Sequence, residues 1–242
     1  ADDFDVLISG AGMVGGALGL ALQRQGLRTA IAERRTAPQA ETTDPLQRCS
    51  LINAGATAFL AQQEIDIAAL GTAVRGMRVW DGEHAGSIQL DATDVGATVL
   101  GYICENQTLE HALRTAFCRA GGSLLYDCQW QMAYSDAEGI ELEDQEGTGY
   151  RGRLLAIAEG RQSRLRQQIF QSSIYRADYQ QEAIVATVQI ERPHGGIAYQ
   201  RFLPSGPLAL LPFADNAQGQ AQASLVCSAR NLSARQLFAM DD

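Results

Sequence analysis

A glycine-rich turn close to the start of the chain restricts its fold more than any other feature. Gly10, Gly12 and Gly15 form a G-x-G-x-x-G pattern. An apolar run over residues 4–9 precedes the pattern, and residues 13–25 follow it with helical apolar spacing. Glycine at these positions allows a tight turn, close approach of a ligand to the backbone, and close packing of a helix on a strand. The sequence therefore predicts a strand, a turn and a helix that can receive a dinucleotide.

A second apolar run, over residues 28–33, follows the predicted helix and ends on a carboxylate. Strand, helix and strand together predict a βαβ unit. Glu33 lies about 20 residues after the glycines, where an acidic residue accepts hydrogen bonds from the hydroxyls of an adenosine ribose. Because a carboxylate at this position disfavours a ribose 2′-phosphate, the pattern predicts FAD or NAD and argues against NADP. The pattern alone does not choose between FAD and NAD.

Composition excludes several classes of protein. The chain contains no lysine, and all 19 of its Lys and Arg residues are arginine. A P-loop and a pyridoxal-phosphate enzyme each need a lysine, so neither chemistry is available. The formal net charge of −9 argues against nucleic acid as a partner, because neutralisation of phosphates by basic side chains supplies most of the non-specific affinity.

The cysteines and the first residues indicate the compartment. The five cysteines are widely spaced and form no C-x-x-C pair, which favours a reducing compartment over a disulfide framework and predicts no metal site. The first residues are acidic, whereas a secretion signal begins with basic ones. We therefore expect a cytoplasmic protein.

The rest of the chain alternates between helical and period-two patterning, which predicts two interleaved layers. Helices are predicted over residues 54–63 and 107–119, and a loop over residues 37–45. Two strands are predicted within residues 75–90, and others over 99–104, 123–126, 130–134, 140–143, 154–158, 183–190, 198–203, 208–213 and 223–228. The run of strands after residue 183 predicts a second sheet rather than further βαβ units.

Five segments carry a family resemblance, and they follow one another in the family's order over most of the chain. The segments are residues 10–34, 46–53, 100–106, 158–166 and 201–212. In them the chain resembles the flavin-dependent aromatic hydroxylases of the p-hydroxybenzoate hydroxylase type. Within that group, the last segment resembles the substrate sheet of the ubiquinone-biosynthesis hydroxylases.

The resemblance implies a set of cofactor-binding residues. The ADP half of FAD would be held by Gly10, Gly12, Gly15, Glu33 and Arg34. Arg48 would lie beside the flavin and the pyrophosphate, and Asn106 would face the ribityl chain and the ring. The alternative for Asn106 is a plain helix N-cap.

Glu159 and Gly160 stand where the family has an Asp–Gly motif that contacts both FAD and the nicotinamide donor. The chain departs from the family here, because Glu159 is one methylene longer than Asp. Ile157 also replaces a residue that is usually Gly. We therefore expect Glu159 at the cofactor, with an altered contact to the donor.

The repeated switch between helical and period-two patterning predicts a fold of class α/β and α+β. A Rossmann-like FAD-binding domain is predicted over residues 1–73 and 100–170, interleaved with an antiparallel β-sheet substrate domain over residues 74–99 and 171–242. The function that the resemblance implies is a FAD-dependent monooxygenase that hydroxylates a polyprenylated phenol in ubiquinone biosynthesis. NADH or NADPH would serve as co-substrate, and no catalytic side chain is assigned. A hydrophobic, long-tailed substrate implies contact with partner enzymes or with the surface of the inner membrane.

Members of the family continue into a Gly–Asp segment and a helix beside the flavin ring, whereas this chain ends at residues 238–242 in a helix-like pattern. We therefore expect a fragment that lacks part of the flavin site and purifies with little FAD. Two alternatives stay open. An NAD-dependent dehydrogenase would need repeated parallel βαβ units, and a non-catalytic scaffold in a biosynthetic complex would have a degraded flavin site.

Overall fold

The computed structural model describes residues 2–38, 48–170, 175, 177 and 179–230. Its helices are α1 (Met13–Arg24), α2 (Ala54–Gln62), α3 (Ile67–Leu70), α4 (Asn106–Arg119) and α5 (Arg164–Ile169), with a 3₁₀ helix at Ala92–Val95. Most of the loop predicted over residues 37–45 and the whole helix-like pattern at 238–242 lie outside the described residues.

The strands fall into three sheets. The first contains β1 (Asp2–Ser9), β2 (Thr29–Ala32), β8 (Ser123–Leu125), β9 (Gln131–Ser135), β10 (Ile140–Glu143) and β11 (Gly149–Ile157). The second contains β5 (Gly76–Asp81), β6 (Ser87–Asp91), β12 (Gln181–Gln189), β13 (Ile197–Leu203), β14 (Gly206–Phe213) and β15 (Gln222–Arg230). The third contains β3 (Cys49–Asn53), β4 (Gly71–Val74) and β7 (Gly101–Glu105).

The first sheet, in the order β8-β2-β1-β11-β10-β9, contains the predicted βαβ unit. Strand β1 pairs in parallel with both β2 and β11, and β2 pairs in parallel with β8. Leu7, Ile8 and Ile31 are fully buried, as expected for a parallel strand covered on both faces. The predicted Rossmann-like layer is therefore present, and it carries the glycine turn at the end of β1.

One face of this sheet is closed by Trp130, which is 1% exposed. Trp130 belongs to a buried cluster with Leu7, Ala30 and Leu142. Its ring also packs on that of Tyr150, with the centroids 5.5 Å apart and the planes at 53°, a separation typical of stabilising aromatic pairs. This packing fixes β1, and with it the position of the turn.

The second sheet has the order β12-β15-β14-β13-β5-β6. Neighbouring strands in it are antiparallel, apart from the parallel pair β13 and β5. Because β5 pairs with β13, which comes more than a hundred residues later in the chain, this sheet combines strands from both segments of the predicted substrate domain.

The third sheet, in the order β3-β7-β4, is antiparallel and was not predicted as a sheet. A buried cluster of Val74, Ile103, Ala198 and Phe213 packs it against the second sheet.

Backbone contacts divide the chain into two compact units, one of residues 1–42 and 108–176 and the other of residues 43–107 and 177–242. The predicted FAD-binding and substrate domains stay a prediction, because contact density does not say which residues serve a cofactor. No helix in the described part of the chain is both long and apolar enough to cross a bilayer.

Candidate nucleotide-binding site

The glycine turn at the end of β1 is shaped by the protein's own backbone at two positions. Gly10 has a φ of +105°, and a Cβ there would lie 2.6 Å from the Ala158 carbonyl oxygen. A Cβ on Gly15 would overlap the Gly10 carbonyl oxygen. Both positions therefore require glycine whether or not a ligand binds.

Gly12 differs from the other two, because internal packing does not require glycine there. A Cβ on Gly12 would meet Glu110 Oε1 at 3.7 Å, an ordinary van der Waals contact. Helix α1 begins directly after Gly12, and no side chain caps it, so its first N–H groups have no intrahelical partner. Val14, in this first turn, is 74% exposed. Space above the backbone and free N–H groups at the positive end of a helix fit a pyrophosphate.

Glu33, directly after β2, is only 7% exposed. Its Oε2 accepts a hydrogen bond from the Ala11 N–H at 3.1 Å, and its Oε1 accepts one from the Arg35 N–H at 2.9 Å. Burial alone would raise the pKa of this carboxyl, but the hydrogen bonds from Arg35 and Ala11 outweigh it, so the pKa lies below its ordinary value. Glu33 is therefore an ionised acceptor held beside the glycine turn.

Arg35 links Glu33 to helix α4. Its Nε donates to Glu33 Oε1 at 3.2 Å, and its Nη2 lies 3.5 Å from Glu33 Oε2 and 3.3 Å from Glu110 Oε2. Arg114 Nη1 donates to the same Glu110 oxygen at 3.4 Å and to the Ala11 carbonyl oxygen at 3.3 Å. Hydrogen bonding to Glu33 raises the pKa of the Arg35 guanidinium. We call Glu33, Arg35, Glu110 and Arg114 the Arg35 network.

Of the four residues in this network, the sequence predicts only Glu33 as a site residue. The arginine that it predicts at the cofactor is Arg34, which is not part of the network. Arg34 is exposed, and the arginine that contacts Glu33 is its neighbour Arg35. The only sequence feature that pointed to Arg35 was its position next to Arg34. Which of the two side chains turns toward Glu33 depends on the fold and cannot be read from the sequence. The predicted role of Arg34 stays a prediction.

Glu159 is held by three donors within the first unit. Ser9 Oγ donates to its Oε1 at 2.6 Å, while Ser163 Oγ and the Leu165 N–H donate to its Oε2 at 2.7 and 3.2 Å. Ser163 is 1% exposed and its Oγ caps α5 by accepting from the Arg166 N–H. Glu159 thus ties the end of β1 to the start of α5. Its contact with a cofactor or a nicotinamide donor stays a prediction.

We expect Glu159→Ala to lower the free energy of unfolding by about 1–3 kcal/mol, the cost of leaving a buried hydroxyl such as that of Ser163 without its acceptor. Urea denaturation followed by circular dichroism measures this change. Glu159→Gln is the control, because its amide oxygen can keep one of the acceptor positions and should restore part of the loss. Equal stability of the wild type and Glu159→Ala would contradict this role.

Arg48 and Asn106 lie together in the second unit. The Asn106 N–H donates to the Arg48 carbonyl oxygen at 2.8 Å, and Asn106 Oδ1 accepts from Ser50 Oγ at 2.8 Å. Asn106 is the first residue of α4, so the helix starts one residue earlier than predicted. Ser50, which the sequence did not single out, orients its amide. The predicted contacts of Arg48 and Asn106 with the flavin stay a prediction.

Comparison with known proteins identifies the relatives of this chain, although no model of a known protein family matches it. It is 31% identical to the ubiquinone hydroxylase UbiL of Rhodospirillum rubrum over 228 residues, covering 88% of this chain and 50% of that protein. It is also 31% identical to the 3-demethoxyubiquinol 3-hydroxylase of Escherichia coli, covering 88% of this chain and 55% of that protein. The chain is homologous to the ubiquinone hydroxylases. The resemblance drawn from the five segments is therefore confirmed.

The homology extends over almost the whole chain. The human ubiquinone biosynthesis monooxygenase COQ6 is 29% identical over 99% of this chain and 54% of its own length. The chain thus spans about half the length of the curated relatives it matches.

Solved structures confirm the fold class. PqsL, a probable FAD-dependent monooxygenase of Pseudomonas aeruginosa, matches with a TM-score of 0.81 at 18% identity over 98% of this chain and 64% of that chain. The p-nitrophenol 4-monooxygenase PnpA of Pseudomonas putida matches with a TM-score of 0.76 at 13% identity over 98% of this chain and 61% of that chain.

Proposed function

We propose that this chain belongs to a FAD-dependent monooxygenase that hydroxylates a polyprenylated phenol ring in ubiquinone biosynthesis. The glycine turn carries the proposal, because internal packing does not require glycine at position 12 and the space beside its backbone fits a pyrophosphate. The identity of about 30% to ubiquinone hydroxylases over most of the chain supports the choice of substrate class.

The chain's own residues would bind and orient the nucleotide half of the cofactor. The first turn of α1 would receive the pyrophosphate through its free N–H groups, and the ionised Glu33 would accept the ribose hydroxyls. When bound, FAD would supply the oxygen-transfer chemistry after reduction by NADH or NADPH. The roles implied by the resemblance for Arg34, Arg48, Asn106 and Glu159 belong to this proposal.

The proposed substrate has consequences for the location and partners of the protein. A hydrophobic aromatic ring with a long isoprenoid tail partitions into bilayers, so the protein would work in the cytoplasm at a membrane surface or receive substrate from partner enzymes. An NAD-dependent dehydrogenase is disfavoured, because residues 181–230 add strands to a largely antiparallel sheet instead of repeating the βαβ unit.

The function can be tested by complementation. The whole open reading frame encoding this chain is expressed in bacterial strains that each lack one ubiquinone hydroxylase, and ubiquinone is measured by mass spectrometry. We expect ubiquinone to return in one strain, which also identifies the ring position. Gly12→Leu, which fills the space above the turn, should abolish this rescue. A protein that retains FAD but restores ubiquinone in no strain would refute the proposed substrate class.

A further inference from the structure

The carboxylate of Glu33 has no acceptor position to spare. An ionised carboxylate offers about four lone-pair positions. The Ala11 and Arg35 N–H groups take one each, and Arg35 Nε and Nη2 take the other two. A ribose diol can bind Glu33 only if the Arg35 guanidinium gives up its two positions. With its side chain 57% exposed, Arg35 has room to do so.

Glu110 provides a second partner that keeps Arg35 in place after this exchange. Arg35 Nη2 already lies 3.3 Å from Glu110 Oε2, and Arg114 Nη1 lies 3.4 Å from the same oxygen. Arg114 is itself anchored on the Ala11 carbonyl oxygen, and its side chain is 11% exposed. Glu110 is therefore a positioned acceptor, whereas Arg35 is the adjustable member of the network.

The charges of the Arg35 network balance, with two carboxylates against two guanidinium groups. Within the network, both cations are already hydrogen-bonded to carboxylates. A phosphate on the 2′-oxygen of a ribose at Glu33 would face two carboxylates and would have to compete with Glu110 for Arg35. The phosphate would gain a charge-assisted bond to Arg35 only by breaking the equally charge-assisted bond from Arg35 to Glu110, and the repulsion from the two carboxylates would remain.

We propose that Glu110 is a specificity-determining residue of the nucleotide site. By holding Arg35, it admits a ribose with free 2′- and 3′-hydroxyls and rejects one that carries a 2′-phosphate. Glu110 acts through Arg35 and needs no contact with the ribose. The inference rests on the proposed nucleotide site at the glycine turn and adds the residue that selects among nucleotides there.

Calorimetric titration of the 242-residue chain with AMP and with adenosine 2′,5′-bisphosphate tests the proposal, since the two probes differ only in the 2′-phosphate. The wild type should prefer AMP. Glu110→Gln removes one negative charge and releases Arg35, so the affinity ratio should move about tenfold toward the bisphosphate, the size of one charge-assisted hydrogen bond. Glu146→Gln is the matched control, because Glu146 is an exposed carboxylate outside the network, and it should leave the ratio unchanged.

Arg35→Met gives a second measurement that does not depend on the folding of the Glu110 variant. Without the guanidinium of Arg35, the network becomes negatively charged, so the preference for AMP over the bisphosphate should increase. This change in the affinity ratio is opposite to the one expected for Glu110→Gln. In the double variant that carries both Glu110→Gln and Arg35→Met, the gain in relative affinity for the bisphosphate should disappear. An unchanged ratio in Glu110→Gln, or a gain that persists without Arg35, would overturn this inference alone. If the wild type binds neither nucleotide, the nucleotide site and the inference both fail.

Discussion

Replacing Gly15 by alanine will lower the free energy of unfolding by about 3 kcal/mol, at the upper end of the usual cost of overpacking. The new Cβ would overlap the Gly10 carbonyl oxygen. Since this oxygen belongs to the backbone between β1 and α1, no side-chain rotation can relieve the overlap. Urea denaturation followed by far-ultraviolet circular dichroism measures the change.

Gly12→Ala is the matched control, because it adds the same methyl group at the residue directly before α1, the helix that contains Gly15. Its Cβ has room, with Glu110 Oε1 at 3.7 Å, so the stability should change by less than about 1 kcal/mol, the usual scale for an N-cap change from Gly. Nucleotide affinity should nevertheless fall, because the methyl group occupies the space needed by the pyrophosphate. Equal destabilisation by both substitutions would contradict this division of roles.

The sequence predicts the βαβ unit well because its determinants are local. The helix predicted over residues 13–25 is α1, Met13–Arg24, and the strand predicted over residues 4–9 is β1, Asp2–Ser9. A glycine-rich turn, an apolar helix face and a terminal acid lie within one short segment, so no long-range information is needed to recognise them. The same holds for the hairpin of β5 and β6.

The third sheet was missed because its strands carry little periodic signal of their own. In β3 the single buried residue is Ile52, and β4 is four residues long. Both strands are defined by pairing with β7, and pairing partners are a tertiary property. The parallel pairing of β5 with β13 escaped prediction for the same reason.

In the candidate site, too, residues with local determinants can be predicted from the sequence and residues with long-range contacts cannot. The role of Glu33 can be predicted from its position after the second strand. The contact between Glu110 and Arg35 cannot, because the two residues are 75 positions apart in the sequence. Sequence patterns predict no helix at α5, because the contacts of Ser163 and Leu165 with Glu159 cannot be read from spacing. Residues that hold the site together through long-range contacts are therefore the ones that sequence patterns leave out.

Glu33→Ala should weaken FAD binding ten- to a hundredfold, or about 1.5–3 kcal/mol, the worth of charge-assisted hydrogen bonds to two ribose hydroxyls. A fluorescence titration of the protein from the whole open reading frame measures the dissociation constant. Hydroxylation should return at excess FAD, because Glu33 would act at the adenosine end and change occupancy rather than chemistry. An unchanged dissociation constant would mean that the nucleotide does not bind at the glycine turn.

The same substitution has a pH-dependent effect on stability that needs no cofactor. The pKa of Glu33 is lowered in the folded chain from its ordinary value of 4.5, so its stabilising bonds to Ala11 and Arg35 are fully present above that pH and are lost as the pH falls through the lowered value. The difference in free energy of unfolding between wild type and Glu33→Ala should therefore be constant near neutrality and shrink below pH 4.5. Glu146→Ala, which removes an exposed carboxylate, should show no such difference. A gap that persists undiminished in acid would mean that Glu33 stabilises the turn by packing rather than by its charge.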